Sequence, residues 1–124
     1  MTALLVVLGA AVGAPSRWHL DRYVQSRRAG VFPWGTFTVN VSGSFLLGVI
    51  LGARTYGPET ADVATLIGAG FCGGFTTLST LTFETARLVE DGSYLEAGAN
   101  VVGSMAAGLV AALAGWYLAR FVWG

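Results

Sequence analysis

The sequence predicts an all-α integral membrane protein with four transmembrane helices in a single domain, residues 1–124. Only 11% of its residues are charged, whereas an ordinary soluble domain contains roughly 25%. Three uncharged runs, Trp34–Ala53, Val63–Phe83 and Ala97–Ala119, contain 20, 21 and 23 residues. A helix needs about 20 residues to cross a hydrocarbon core of about 30 Å. Each of these runs is therefore long enough to span a bilayer.

The first helix is predicted over residues 3–24, because the uncharged stretch up to Ser16 continues into an amphipathic segment that begins with Arg17. The other helices are predicted at 34–55, 62–89 and 95–122. The short loops between them leave no room for a soluble catalytic domain, and no metalloprotease or P-loop signature occurs. We therefore expect no enzyme. No cluster of basic residues indicates nucleic-acid binding.

The arginines predict the orientation of the four helices. Four or five of them lie near the loops after helices 1 and 3, and two lie on the side of the termini. The positive-inside rule then places loops 1 and 3 in the cytoplasm and both termini outside.

The third helix contains the most unusual segment, Gly68–Glu84, in which a glycine cluster is followed by five hydroxyl residues within a membrane-spanning run. Glycine weakens a helix, and hydroxyls can replace the backbone hydrogen bonds that a break removes. We expect a break near Gly73–Thr76. Broken helices at membrane depth are tolerated only when buried in protein or lining a polar cavity, so this segment predicts an ion or solute site.

Polar side chains elsewhere leave two interpretations open. The Asn40 amide either bonds a neighbouring helix or donates to a passing anion, and Asn100 and Ser104 share one face of helix 4. A hydroxyl in helix 3 can bond back to the carbonyl four residues earlier or line a path. Spaced glycines, such as Gly9 and Gly13, serve packing within the chain or between subunits. A chain of this size hardly encloses a pore, so we expect an oligomer, most simply a two-fold dimer.

Three segments resemble a known family: GAAVGAPSR at 9–17, PWGTFTVNVSG at 33–43 and GFCGGFTTLSTLTFE at 70–84. Over nearly its whole length the chain is similar to the CrcB/Fluc fluoride channels. The resemblance implies an antiparallel dimer with two pores in the plasma membrane, through which cytoplasmic fluoride leaves the cell passively. It also implies a structural sodium ion at the dimer centre.

The resemblance assigns roles to individual residues. The sodium would be held by the backbone carbonyls of Gly73 and Thr76, and Arg17 and Glu84 would lie near aqueous vestibules. The fluoride pore would be lined by one amide of helix 2, three hydroxyls of helix 3 and two polar residues of helix 4: Asn40, Ser79, Thr80, Thr82, Asn100 and Ser104.

One departure from the family pattern concerns the pore. The family's string TTFSTF is TTLSTL at residues 76–81 here, so Leu78 and Leu81 replace phenylalanines whose positive ring edges would face fluoride. The chain then forms either a homodimer that conducts with leucines or one half of a heterodimer whose homologous partner supplies the phenylalanines. Outside the family, a small multidrug-type exporter would require a membrane-embedded glutamate in helix 1, which the sequence lacks. A non-transporting scaffold subunit would not need the hydroxyl stripe.

Overall fold

A computed structural model describes residues 2–28, 30, 32–57 and 61–124, and this part of the chain contains helices and no strand. Within these described ranges, four helices are long and apolar enough to cross a membrane. Three are regular: α1 (Thr2–Arg27), α2 (Trp34–Tyr56) and α6 (Tyr94–Trp123). The other is the third span, Ala61–Glu90. It consists of α3 (Ala61–Ala64), a π-helical segment (Thr65–Cys72), α4 (Gly73–Phe75) and α5 (Ser79–Glu90).

The helices extend slightly beyond their predicted limits. α1 continues through Pro15 and ends at Arg27, three residues after the predicted end. Its turn after the proline includes the Ser16 hydroxyl, which donates to the Val12 carbonyl at 2.7 Å. Of the predicted loop positions, residues 29, 31 and 58–60 lie outside the described residues.

Helices α2 and α6 form the most extensive helix pair, and glycines allow their backbones to touch. A Cβ added to Gly48 would lie 2.0 Å from the Ala112 carbonyl oxygen, and one added to Gly115 would lie 2.3 Å from that of Phe45. Neither position has room for a side chain. In lipid, such close approach is a main source of helix association, so these glycines fix α6 against α2.

Helix α1 packs in the same manner on the third span. A Cβ on Gly9 would lie 2.2 Å from the Leu66 carbonyl oxygen, and one on Gly13 would lie 2.3 Å from that of Phe71. The two glycines therefore press α1 onto the π-helical segment. This spaced pair packs helices within the chain, whereas an added Cβ on Gly103 would meet nothing within 4 Å.

The third span is interrupted after α4. Thr76 has an extended backbone, with φ −83° and ψ 158°, and helical structure resumes at Ser79. The interruption lies beside α2, and the polar side chains of both elements meet there.

Candidate functional site

Asn40 of α2 bonds both ways to the backbone of Thr77 in the interruption. Its Nδ2 donates to the Thr77 carbonyl at 2.9 Å, and its Oδ1 accepts from the Thr77 amide at 2.8 Å. The side chain thus forms the interhelical contact that was one of its two predicted roles. The carboxamide NH₂ has a second N–H, so this contact leaves one donor for another acceptor.

The Thr77 hydroxyl connects the first residues of α5. It accepts from the Thr80 amide at 3.2 Å and donates to the Thr80 hydroxyl at 3.1 Å. The Ser79 hydroxyl lies 3.3 Å away. The first amides of a helix have no partner within the helix, and Thr77 satisfies one of them. Ser79 and Thr80, both predicted site residues, are therefore joined to Asn40 through Thr77.

The predicted sodium ligands, the carbonyls of Gly73 and Thr76, lack the amide donors that a continuous helix would give them. The amide four residues after Gly73 belongs to Thr77 and donates to Asn40. The amide four residues after Thr76 belongs to Thr80 and donates to the Thr77 hydroxyl. Oxygen atoms freed in this way are ligands suited to a hard cation, so the donor set fits the ion that the resemblance implies.

An open groove of about 830 Å³ runs along α2 and the third span, with Asn40, Gly73 and Thr76 in its lining. A Cβ added to Gly73 would meet nothing within 4 Å. The two leucines in the phenylalanine positions also line the groove, but Leu78 is 75% exposed and Leu81 only 8%. Leu78 is therefore accessible from outside the chain, whereas Leu81 is not.

A smaller cavity of about 130 Å³ lies between α1, α2 and the start of α5, and Arg17, Asp21, Thr36 and Thr80 line it. Thr36 is only 1% exposed, and its hydroxyl has no hydrogen-bond partner among the described residues. Glu84 Oε1 is also buried without a hydrogen bond of regular geometry, and the Glu84 carboxyl group lies close enough to the Thr36 hydroxyl to interact with it. The Thr36 hydroxyl and the Glu84 carboxyl group form a buried polar pair one helical turn from the Asn40 contact, on the side of Arg17.

Asn100 and Ser104 form a separate buried group. Asn100 is fully buried and donates to the Thr85 hydroxyl at 2.9 Å, and the Ser104 hydroxyl lies 3.5 Å from Asn100 Oδ1. The structure therefore joins α6 to α5 through Thr85, and the hydrogen bonds of the described residues do not connect this group with Asn40. Thr82, another predicted site residue, is exposed and bonds back to the Leu78 carbonyl at 2.9 Å.

Sequence reasoning gave no site role to Thr36, Thr77 or Thr85, which the structure places at the centre of these polar groups. Thr36 precedes Asn40 by four residues and so shares its helix face, a signal that could have identified it. Nothing in the local sequence distinguishes Thr77 from Thr76, because their roles differ only through the tertiary contact with Asn40.

A family model described as CrcB-like protein, Camphor Resistance (CrcB), matches residues 4–116. The chain belongs to the CrcB family. This family comprises ion channels and not enzymes, as predicted. With four helices able to span a bilayer, the chain is a multi-pass membrane protein.

Curated relatives cover nearly the whole chain. A protein of Frankia casuarinae named fluoride-specific ion channel FluC 1 is 54% identical and aligns over 100% of both chains. One of the same name in Streptomyces avermitilis is 49% identical over 99% of both. A Paramagnetospirillum magneticum protein named fluoride-specific ion channel FluC is 38% identical over 98% of both.

Proposed function

We propose that this CrcB-family protein is a fluoride-selective channel of the plasma membrane that allows cytoplasmic fluoride to leave the cell passively. The observation that supports this most is full-length similarity at 54% identity to a protein named fluoride-specific ion channel. The geometry agrees with it, because neutral amide and hydroxyl donors surround the interrupted third span. Such donors can replace the water of a small anion without trapping it, as conduction requires.

The conducting unit is proposed to be an antiparallel dimer. The groove along α2 and the third span is open on one side and lined by Asn40 and Thr76, so a second chain is needed to enclose it. In that dimer the carbonyls of Gly73 and Thr76 from both chains would hold a structural sodium ion. Sodium would supply a fixed positive charge at the centre and would not be transported.

The second chain is either a copy of this one or a homologous subunit. The exposed Leu78 favours the homologous subunit, because leucine has no positive ring edge to offer an anion. A partner with phenylalanines in these positions would supply the missing edges. The arginine bias toward loops 1 and 3 also favours a fixed orientation, and therefore two unlike chains in an antiparallel pair.

Fluoride efflux from liposomes, followed with a fluoride electrode, tests the proposal. Potassium fluoride is loaded, valinomycin balances the charge, and chloride-loaded liposomes serve as the selectivity control. We expect rapid, fluoride-selective efflux from the chain alone or from the chain reconstituted with a homologous subunit. Efflux by the chain alone would establish a conducting homodimer. Absence of fluoride efflux from folded dimers in both preparations would contradict the proposal.

A further inference from the structure

The last turns of α1 form a surface that is distinct from the polar groups described above. Two arginines there lie over aromatic rings one turn earlier: Arg22 is 4.8 Å from the centroid of the Trp18 ring, and Arg27 is 4.9 Å from that of Tyr23. Beyond the helix end, Arg28 lies 5.3 Å from the Trp34 ring. We call Trp18, Arg22, Tyr23, Arg27 and Arg28 the α1 basic surface.

The α1 basic surface is open. Its three arginines are exposed, and the rings of Trp18 and Tyr23 are 53% and 58% exposed. No carboxylate among the described residues forms a salt bridge with these guanidinium groups. Cation–π attraction to a ring does not use the N–H donors of a guanidinium as a salt bridge would, so these exposed groups can bind an external anion.

The charges at this end of the molecule are separated. The nearest carboxylate in sequence, Asp21, does not belong to the surface: it lines the inner cavity and packs on the Cα of Gly35. The acidic residues of the same end lie instead on α5, on α6 and in the turn between them: Glu84, Glu90, Asp91 and Glu96. Glu84 and Asp91 line a cavity with Gln25 of α1, and neither Arg22 nor Arg27 borders that cavity.

The position of the surface along the helix indicates what the anion is. The uncharged part of α1 ends at Ser16, and charged residues begin with Arg17. The last turns of α1, from Trp18 to Arg27, therefore reach the headgroup layer on one side of the bilayer. Exposed Trp and Tyr side chains are typical of that layer, and the planar guanidinium fork matches the phosphate group.

We infer that the α1 basic surface binds the headgroups of anionic phospholipids. Lipids with net negative charge are favoured over zwitterionic ones, because the α1 basic surface contains no carboxylate that could bind a cationic choline or ethanolamine group. The binding attaches the loop 1 end of each chain to the leaflet that it faces, independently of ion conduction.

Native mass spectrometry of the detergent-solubilised full chain tests this inference, with phosphatidylglycerol and phosphatidylcholine of identical acyl chains as probes. We expect wild-type protein to bind phosphatidylglycerol preferentially. Each guanidinium near the surface contributes about a fivefold change in lipid affinity, so R22Q/R27Q should lower the preference by about 25-fold. The control is R54Q/R120Q, which removes two exposed arginines from the opposite end of the molecule and should leave most of the preference intact.

Three results would overturn the inference: no lipid preference in the wild type, an undiminished preference in R22Q/R27Q, or an equal loss in R54Q/R120Q. If R22Q/R27Q does not fold, R22Q and R27Q are measured separately, with about a fivefold loss expected for each. Because lipid binding is read directly, the outcome does not depend on whether the chain conducts fluoride.

Discussion

At the residue scale, Asn40 bonds the backbone of Thr77 through its amide, and its second N–H takes no part in that contact. Asn40→Asp keeps an acceptor for the Thr77 amide but adds a negative charge. Asn40→Ala removes the contact without adding charge. If Asn40 lines the pore, we expect Asn40→Asp to lower fluoride efflux by about tenfold or more, since about 1.4 kcal/mol of repulsion is enough.

The comparison with Asn40→Ala decides between the two properties. A pore residue predicts that Asp reduces efflux more than Ala does, at equal recovery of folded protein. If Ala is as damaging as Asp, or if Asp leaves efflux intact, Asn40 acts only as the interhelical contact.

Thr77 and Thr82 provide a matched pair of hydroxyls in one segment. Thr77→Val removes the acceptor of the Thr80 amide and should lower the free energy of unfolding by about 1 kcal/mol, as loss of a helix cap does. Thr82→Val removes only a bond to the Leu78 carbonyl and should change it by less than about 0.5 kcal/mol. Thermal unfolding in detergent measures both, and equal shifts would argue against a capping role for Thr77.

At the scale of elements, α1 can contact the π-helical segment only because Gly9 has no side chain. Gly9→Ala would place a methyl group 2.2 Å from the Leu66 carbonyl oxygen, so α1 must move away. We expect a loss of about 1–3 kcal/mol, the usual cost of overpacking. Gly98→Ala is the control, because its Cβ would meet nothing within 4 Å. Thermal stability in detergent should fall for the first variant only.

The sequence was sufficient to predict the helices, because uncharged runs of 20 to 23 residues have few alternatives in a membrane protein. It did not predict the π-helical segment, since the backbone approach of Gly9 to Leu66 is a tertiary contact with no local signature. For the site, the sequence indicated the polar residues but not their partners. Asn40 could bond a helix or an anion, and only the tertiary placement of Thr77, 37 residues later in the chain, decides its contact. The roles proposed for Gly73 and Thr76 as ligands remain predictions.

At the scale of the whole molecule, substitutions at the neighbouring residues Gly73 and Gly74 should distinguish the folding of one chain from the assembly of two. Gly73→Val adds a side chain where nothing in the chain lies within 4 Å, whereas a Cβ on Gly74 would lie 2.9 Å from the Ala10 Cα. We expect Gly73→Val to fold but to lower the dimer fraction by tenfold or more. Gly74→Val should destabilise the chain itself by about 1–3 kcal/mol.

Dimer fraction by light scattering and thermal stability by circular dichroism distinguish the two glycine variants. A fully dimeric Gly73→Val protein would show that the groove is not the subunit interface.

Replacing sodium by a large organic cation during purification provides an independent measurement of what holds the dimer together. If sodium is structural, the wild-type dimer fraction should fall, and restoring sodium should recover it.

The π-helical segment has a consequence for how the chain tolerates insertions and deletions. Each π turn accommodates one residue more than an α turn, and such bulges are frequent at functional sites. A one-residue deletion within Thr65–Cys72 can therefore be absorbed by tightening that segment, while Asn40 still holds Thr77 and keeps α5 in phase. The same deletion within α5 would rotate every following residue of the helix by about 100°. Differences in length among homologous third spans should accordingly fall before Gly73 and be rare after Thr77.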